Sequence, residues 1–225
     1  MKNLTSNVLI IVALLCSFTV NSKVIVVDKA SAINTLKKGI ALAAPHDTVL
    51  VKKGHYYEYN IAVEKPLTIK GEMFPTIDGE DKGEIITIVS DSVTIDGLFI
   101  INVGTSYTTD WAAIRVVRSK YFLIQNVVLE KLFFGIYLEK SSHGKVYHNK
   151  IIGDAVEEFN SGNGIQLWYC NNIEVKQNIV QHVRDGIYLE FSDSIQIIKN
   201  ISTQNVRYGL HFMFSNDDLY HSNVF

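Results

Sequence analysis

From residue 113 onward the hydrophobic positions come in short alternating runs, not at helical spacing. After each of Gly135, Gly164, Gly186 and Gly209 the first and third residues are apolar (Ile136/Leu138, Ile165/Leu167, Ile187/Leu189, Leu210/Phe212) and the one between them is mostly polar or aromatic. This is the pattern of a half-buried strand. A second run follows a turn, as in Ile173-Glu174-Val175 and Ile195-Gln196-Ile197. An asparagine stands fourteen residues after each glycine, at Asn149, Asn178, Asn200 and Asn223, while the glycines are 29, 22 and 23 residues apart. Fixed spacing within a copy and a variable connection between copies predict a solenoid of about 22–23 residues per coil. The expected fold class is all-β, a right-handed parallel β-helix, because parallel crossovers wind right-handed. Equivalent residues should stack about 4.8 Å apart.

Upstream, strands are expected at Thr48–Val51, Leu67–Gly71, Ile85–Ile88 and Val93–Gly97. A coil one residue shorter than the others carries Ala113–Val116, Ser119 and Asn126. Residues 31–44 read as an N-terminal capping helix, with Ser31 as N-cap, Ile33, Leu36, Ile40 and Ala44 along one side, and Pro45 as the stop. Such a helix would cover the unpaired strand edges of the first coil. The 29-residue step places six or seven extra residues within Ile151–Ser161, an acidic loop with Asp154, Glu157 and Glu158. On a regular scaffold such a loop is either a partner contact or a tolerated surface insertion. The series Asn126, Asn149, Asn178, Asn200, Asn223 is expected to form an inward hydrogen-bonded ladder. Cys170 falls where other coils carry Ser141, Ser192 and Ser215, and reads as a small residue of a turn ladder.

Lys2, the apolar run Val8–Leu15 and the segment Ser17–Ser22 read as a secretory signal peptide over residues 1–22, leaving 23–225 as one β-helix domain. The run is shorter than the roughly 20 apolar residues of a spanning helix, and the bulky Leu15 disfavours lipid attachment at Cys16. Without this segment Cys170 is the one remaining thiol, so no intrachain disulfide forms. A net charge of −2 over 225 residues supplies no basic stripe and argues against nucleic acid. The sequence reaches Phe225 just past Asn223 with nothing resembling a terminal cap, so further C-terminal coils and a cap are expected beyond it.

Candidate chemistry lies on the outward face of the first strand of each coil. The two outward columns read Tyr137, Gln166, Tyr188, His211 and Glu139, Trp168, Glu190, Met213. His211 and Met213 are two residues apart and so point the same way, about 7 Å apart at the backbone. Imidazole and thioether together suit copper, the thioether favouring Cu(I). Glu190 and Cys170 lie on neighbouring coils. His143, His148, His182 and His221 show no zinc-like spacing. Asn216-Asp217-Asp218 reads as turn chemistry, since adjacent carboxylates do not span the separations that glycosidases need. No catalytic residue is assigned. Trp111, Trp168, Tyr137, Tyr169, Tyr188 and Phe191 either form a sugar-stacking surface or stack along the ladder.

Gly186-Ile187-Tyr188-Leu189-Glu190-Phe191-Ser192 and the run Val206-Arg207-Tyr208-Gly209-Leu210-His211-Phe212-Met213-Phe214-Ser215-Asn216-Asp217 resemble the NosD family. The early segments Pro45–Tyr56 and Lys65–Gly71 resemble that family's first coils, but similar segments occur in many carbohydrate-active β-helices. The resemblance implies a periplasmic, non-enzymatic, copper-binding role in maturing the copper-sulfide centre of nitrous oxide reductase. It implies as partners an ABC-type transporter of the ATPase NosF and the membrane protein NosY, and the copper chaperone NosL. It makes His211 and Met213 the candidate metal contacts. The competing readings are a polysaccharide lyase or glycoside hydrolase on the same fold, and a purely structural β-helix.

Overall fold

A computed structural model describes residues 22–225; the signal-peptide reading of the preceding residues falls outside this part. The chain winds through three parallel sheets of nine, seven and seven strands. One coil is made by Ala112–Val117, Leu123–Gln125 and Val128–Glu130, and the next by Phe134–Glu139, Lys145–Tyr147 and Lys150–Ile152. All pairings are parallel and the expected register holds, with Ile136, Ile165, Ile187 and Leu210 in one column. The protein is therefore the expected right-handed parallel β-helix with an N-terminal helix. Inward residues form one apolar core running from Val27 to Ile197. Among the described residues no helix is long and apolar enough to cross a membrane.

Each coil contains a third strand that the alternation does not announce. Val128–Glu130, Lys150–Ile152, Ile179–Gln181 and Ile201–Thr203 each send one residue inward (Leu129, Ile151, Val180, Ser202). One inward residue makes no period, so the signal is too short to read.

The corners between strands are single residues in the left-handed region. Lys140, Tyr169, Phe191 and Phe214 share one corner with φ between 49° and 51°, and His148, Gln177, Lys199 and Ser222 another with φ between 54° and 58°. Such backbone costs about 1–2 kcal/mol per non-glycine residue. The side chain just after each corner offsets it. Asn149, Asn178 and Asn200 are buried, and each donates its amide to Oδ1 of the next asparagine, at 2.9, 2.9 and 3.1 Å. Each Oδ1 also accepts the backbone N–H of the preceding coil, as Asn178, Asn200 and Asn223 do at 2.8–3.0 Å. At the other corner the hydroxyls of Ser141, Ser192 and Ser215 accept the backbone N–H of Ser119, Cys170 and Ser192. Cys170 sits in this series, its Sγ 3.4 Å from the Leu138 carbonyl, and burial pushes its thiol up to about 12.

Asn126 does not belong to the ladder. It is exposed and aligns with the corner residue His148, its φ being 51°. In this shorter coil Val127 takes the inward place, and its N–H donates to Asn149 Oδ1 at 3.1 Å. The repeated glycines have a different cause. A Cβ on Gly135 would lie 2.4 Å from the Gly164 carbonyl oxygen, and one on Gly186 2.7 Å from that of Gly209.

The helix is shorter than the 31–44 span. It covers Leu36–Leu42, with Thr35 rather than Ser31 as N-cap, the Thr35 hydroxyl accepting from Lys38 N. Glu58 completes the cap from a later coil by accepting from the N–H groups of Leu36 and Lys37, at 2.5 and 3.0 Å. Ser31 instead closes a turn onto Asp28 and Ile33. The helix lies over Val27 and Val49 at the end of the core, close enough that a Cβ on Gly39 would clash with both. The strand Val24–Val27, not anticipated, precedes it and pairs with Thr48–Val51.

Two insertions interrupt the winding, residues 102–111 and 153–164. Both enter the sheet containing the six-residue strands, hereafter the long-strand face, one before Ala112–Val117 and the other before Ile165–Trp168. They flank the strand Phe134–Glu139.

Asn200→Ala removes acceptors for two donors of Asn178 and a donor to the Val175 carbonyl. It should cost about 3 kcal/mol in urea unfolding, whereas Asn126→Ala, which loses one exposed hydrogen bond at a left-handed corner, should cost no more than about 1 kcal/mol. Equal effects of the two substitutions would remove the ladder as a source of stability.

Candidate functional site

His211 and Met213 lie on the strand Tyr208–Met213 of the long-strand face, beside Tyr188 and Glu190 respectively. Alternation along that strand turns both away from the core, as the sequence spacing requires. The imidazole is held between two rings, 4.6 Å from Tyr188 and 4.9 Å from Tyr208 by centroid. The Met213 sulfur accepts a hydrogen bond from the Tyr188 hydroxyl at 2.9 Å. That hydroxyl is held protonated, because burial and the nearby Glu190 and Asp185 charges raise it.

Asp185 organises this group. Its side chain is fully buried, and it accepts from Arg207 Nε at 3.0 Å, from Arg207 Nη2, and from His211 Nδ1 at 3.3 Å. A carboxylate can only accept, so Nδ1 carries the proton and the His211 Nε2 lone pair is left free. The 3.5 Å approach of Arg207 Nη2 to the same ring nitrogen follows from both donors facing one carboxylate. Burial pushes the Asp185 carboxyl upward, but the hydrogen bonds from Arg207 and His211 and the charge of Arg207 outweigh it and hold the group below the usual carboxylate range. The insertion 153–164 closes the network, since Glu158 pairs with Arg207 Nη1 at 2.7 Å. The acidic loop thus makes a contact within the chain itself.

Cys170 is excluded from the outward pair, being buried in the inward serine series. Glu190 stays beside Met213, with no ion-pair or side-chain hydrogen-bond partner among the described residues. No group of three or more histidine, cysteine, aspartate and glutamate side chains that could hold a metal ion occurs among the described residues. The donor types of His211 and Met213 suit a soft cation. They supply two donors, with Glu190 as a neighbouring charge.

Other residues singled out in the sequence separate. His143, His148 and His182 occupy left-handed corners, and His221 lies on the strand Leu219–His221. Asn216 donates to Asp193 and Asp218 accepts from Ile195 N, so the Asn-Asp-Asp run is corner chemistry. Of the aromatic residues, Tyr169, Phe191 and Phe214 stack on one another along a corner, with centroids 4.8 and 5.0 Å apart. Trp168 lies under Lys140, Trp111 packs against the core, and Tyr137 and Tyr188 share a cleft. Asp185 and Arg207 were missed. Each stands just outside the alternating positions, and the available signal was a charge immediately before Gly186 in a column otherwise filled by Phe134, Asn163 and Tyr208.

A family model described as periplasmic copper-binding protein (NosD) matches residues 147–225, the span that holds Asp185, Arg207, His211 and Met213. The probable ABC transporter binding protein NosD of Pseudomonas aeruginosa is 31% identical over 150 residues, covering 66% of this chain and 35% of the relative. The chain belongs to the NosD family. It spans about a third of that NosD relative's length. Among solved structures, pectin methylesterase PemA from Erwinia chrysanthemi aligns over 89% of this chain and 80% of its own, with TM-score 0.48 and 14% identity. The PL6 family alginate lyase AlyGC aligns over 91% and 40%, with TM-score 0.47 and 14% identity. At that level neither bears on what this NosD-family chain does.

Asp185→Asn should destabilise the protein by on the order of 3 kcal/mol at pH 7, because it leaves Arg207 without its buried counter-charge. A lowered carboxylate contributes above its unfolded-state value and loses that contribution as pH falls through the folded one. The cost should therefore persist from pH 7 to about pH 4 and shrink in stronger acid. Urea unfolding across this range checks it; a cost independent of pH down to pH 2 would show that the charge is not responsible.

Proposed function

We propose that this chain is the β-helix part of a periplasmic accessory protein that takes up copper as Cu(I) and hands it on, without catalysing a reaction. The observation that carries this reading is the outward His211/Met213 pair, lying within the span matched by the copper-binding family model and backed by a buried carboxylate. Copper is cargo here. His211 would offer Nε2, because Asp185 holds the proton on Nδ1. Met213 would offer its thioether, whose sulfur keeps a lone pair beyond the one engaged by Tyr188. A soft monovalent cation accepts this donor pair more readily than a hard divalent one does. Arg207 does not oppose the cation, since Asp185 and Glu158 both neutralise it, and Glu190 beside Met213 adds a negative charge.

Family membership supports a wider role. The P. aeruginosa relative's name supports association with an ABC-type transporter, which this reading takes to be of the NosF and NosY kind. In this reading a NosL-type chaperone supplies the copper, and the recipient is the copper-sulfide centre of nitrous oxide reductase.

The test is anaerobic Cu(I) competition with a chromophoric chelator, on the parent protein and on His211→Ala/Met213→Ala. Affinity should fall by at least about tenfold in the double variant, the loss of about 1.4 kcal/mol of ligation. Asp185→Asn should also weaken binding, but by less, by releasing the imidazole tautomer. Copper binding that is absent from the parent, or untouched by the double substitution, overturns this assignment.

A further inference from the structure

The His211/Met213 pair gives an ion two donors, and Tyr188 touches both of them. Its ring stands against the imidazole with centroids 4.6 Å apart, and its hydroxyl donates to the Met213 sulfur at 2.9 Å. The parallel register explains how one residue reaches both. Tyr188 lies directly beside His211 on the neighbouring strand, with Glu190 beside Met213, and a tyrosine is long enough to lean from its own column into the next. The two rings meet at 45° instead of lying parallel. They therefore open as a wedge, and the sulfur sits at the hydroxyl end of one of its sides.

What a tyrosine offers an ion depends on its protonation. An ionised phenolate is a hard anionic donor, whereas a neutral phenol presents chiefly the negative face of its ring. Burial and the charges of Glu190 and Asp185 keep the Tyr188 hydroxyl protonated, and its proton is spent on the Met213 sulfur. The ring face is what remains, and a cation within about 6 Å of a ring centroid is attracted to it. The same column already uses a tyrosine in this way. Arg115, Tyr137, Gln166, Tyr188 and His211 follow one another on successive strands, and the Arg115 guanidinium lies 4.2 Å from the Tyr137 centroid. Arg207 lies over Tyr208 and is bound by Asp185 and Glu158. No side-chain cation lies over the Tyr188 ring among the described residues.

We infer that Tyr188 is the third contact of the Cu(I) site and the residue that makes the site selective for a monovalent ion, its ring face standing beside the ion that His211 and Met213 hold. This inference rests on the copper reading above. A divalent ion such as Zn(II) or Cu(II) seeks about four lone-pair donors, and the ring occupies one approach to the pair while supplying no such donor. A soft monovalent ion tolerates two donors and is attracted by the ring quadrupole. The hydroxyl has a separate part. Methionine has three rotatable side-chain bonds, and the hydrogen bond from Tyr188 holds the thioether beside the imidazole before any ion arrives. It engages one sulfur lone pair and leaves the other to the ion.

The experiment titrates the protein with Cu(I) and with Ag(I), a redox-inert soft monovalent ion, and takes Zn(II) as the divalent reference. Tyr188→Phe keeps the ring face and loses the hydroxyl, and should change Cu(I) and Ag(I) affinity by no more than about threefold. Tyr188→Leu removes the face and should weaken both by about tenfold. Zn(II) binding, weak in the parent, should be unchanged or stronger in Tyr188→Leu. NMR of protein with isotopically labelled tyrosine rings gives a reading on the parent itself. The Tyr188 ring signals, identified by their absence from Tyr188→Phe, should shift as Ag(I) fills the site. Equal losses in the two variants, a fall in Zn(II) affinity as large as that in Ag(I) affinity, or Tyr188 ring signals that stay still while the site fills would overturn the inference. Monovalent binding that is lost in His211→Ala/Met213→Ala but indifferent to Tyr188→Leu sinks this inference and leaves the copper reading standing. No monovalent binding by the parent sinks both.

Discussion

Everything in this molecule depends on the in-register parallel ladder. In a solenoid each coil contacts only its neighbours, so a side chain's surroundings are set by the residues at the same position one coil above and below. The ladder holds its register by the inward polar series more than by the apolar core, because isoleucine, leucine and valine substitute for one another along a column with little directional preference. Asn149, Asn178, Asn200 and Asn223 are directional. Each accepts from the coil before, the first three also donate to the coil after, and slipping by one residue would turn each amide outward and strand the backbone groups it satisfies. The left-handed corner residues beside them are tolerable for the same reason.

Much of this was legible because a repeat multiplies weak evidence. A single glycine followed by alternating apolar residues means little, but four copies with an asparagine at the same offset define columns. Those columns then predicted the neighbours of Tyr188 and Glu190 on the adjacent strand. Illegible were features that occur once or carry no period. The third strand of each coil presents a single inward residue, and the strand Val24–Val27 is partnered by Thr48–Val51 across the helix. Asn126 misled because residue type was followed where the one-residue shortening of its coil moved the inward place to Val127. The helix start was misplaced because Glu58, distant in sequence, supplies half of its cap.

The candidate copper pair shows the same division. That His211 and Met213 share a face follows from a period of two and needs no structure. That His211 presents Nε2 could not be read, because it depends on Asp185 one coil away and on the order in which Arg207 and the imidazole approach it. Nor could the role of Glu158, which sits 49 residues from Arg207 on an insertion with no counterpart in other coils. Contacts between an insertion and the ladder lie outside the repeat and are invisible to any argument built on it.

Insertions also decide where a regular surface acquires a concave site. A β-helix face is a shallow ribbon, and its own side chains cannot enclose a ligand. Residues 102–111 and 153–164 enter the same face on either side of one strand, and they raise walls there without disturbing register, because the ladder resumes intact at Ala112 and Ile165. The ladder in turn dictates what the walls enclose. Tyr137, Gln166 and Tyr188 lie in one column on successive strands, so the cleft floor continues into His211 without a break. Concavity and soft-donor chemistry on one face are thus consequences of a single column of outward residues, the first added by insertions beside it and the second by the residue that follows Tyr188 along it.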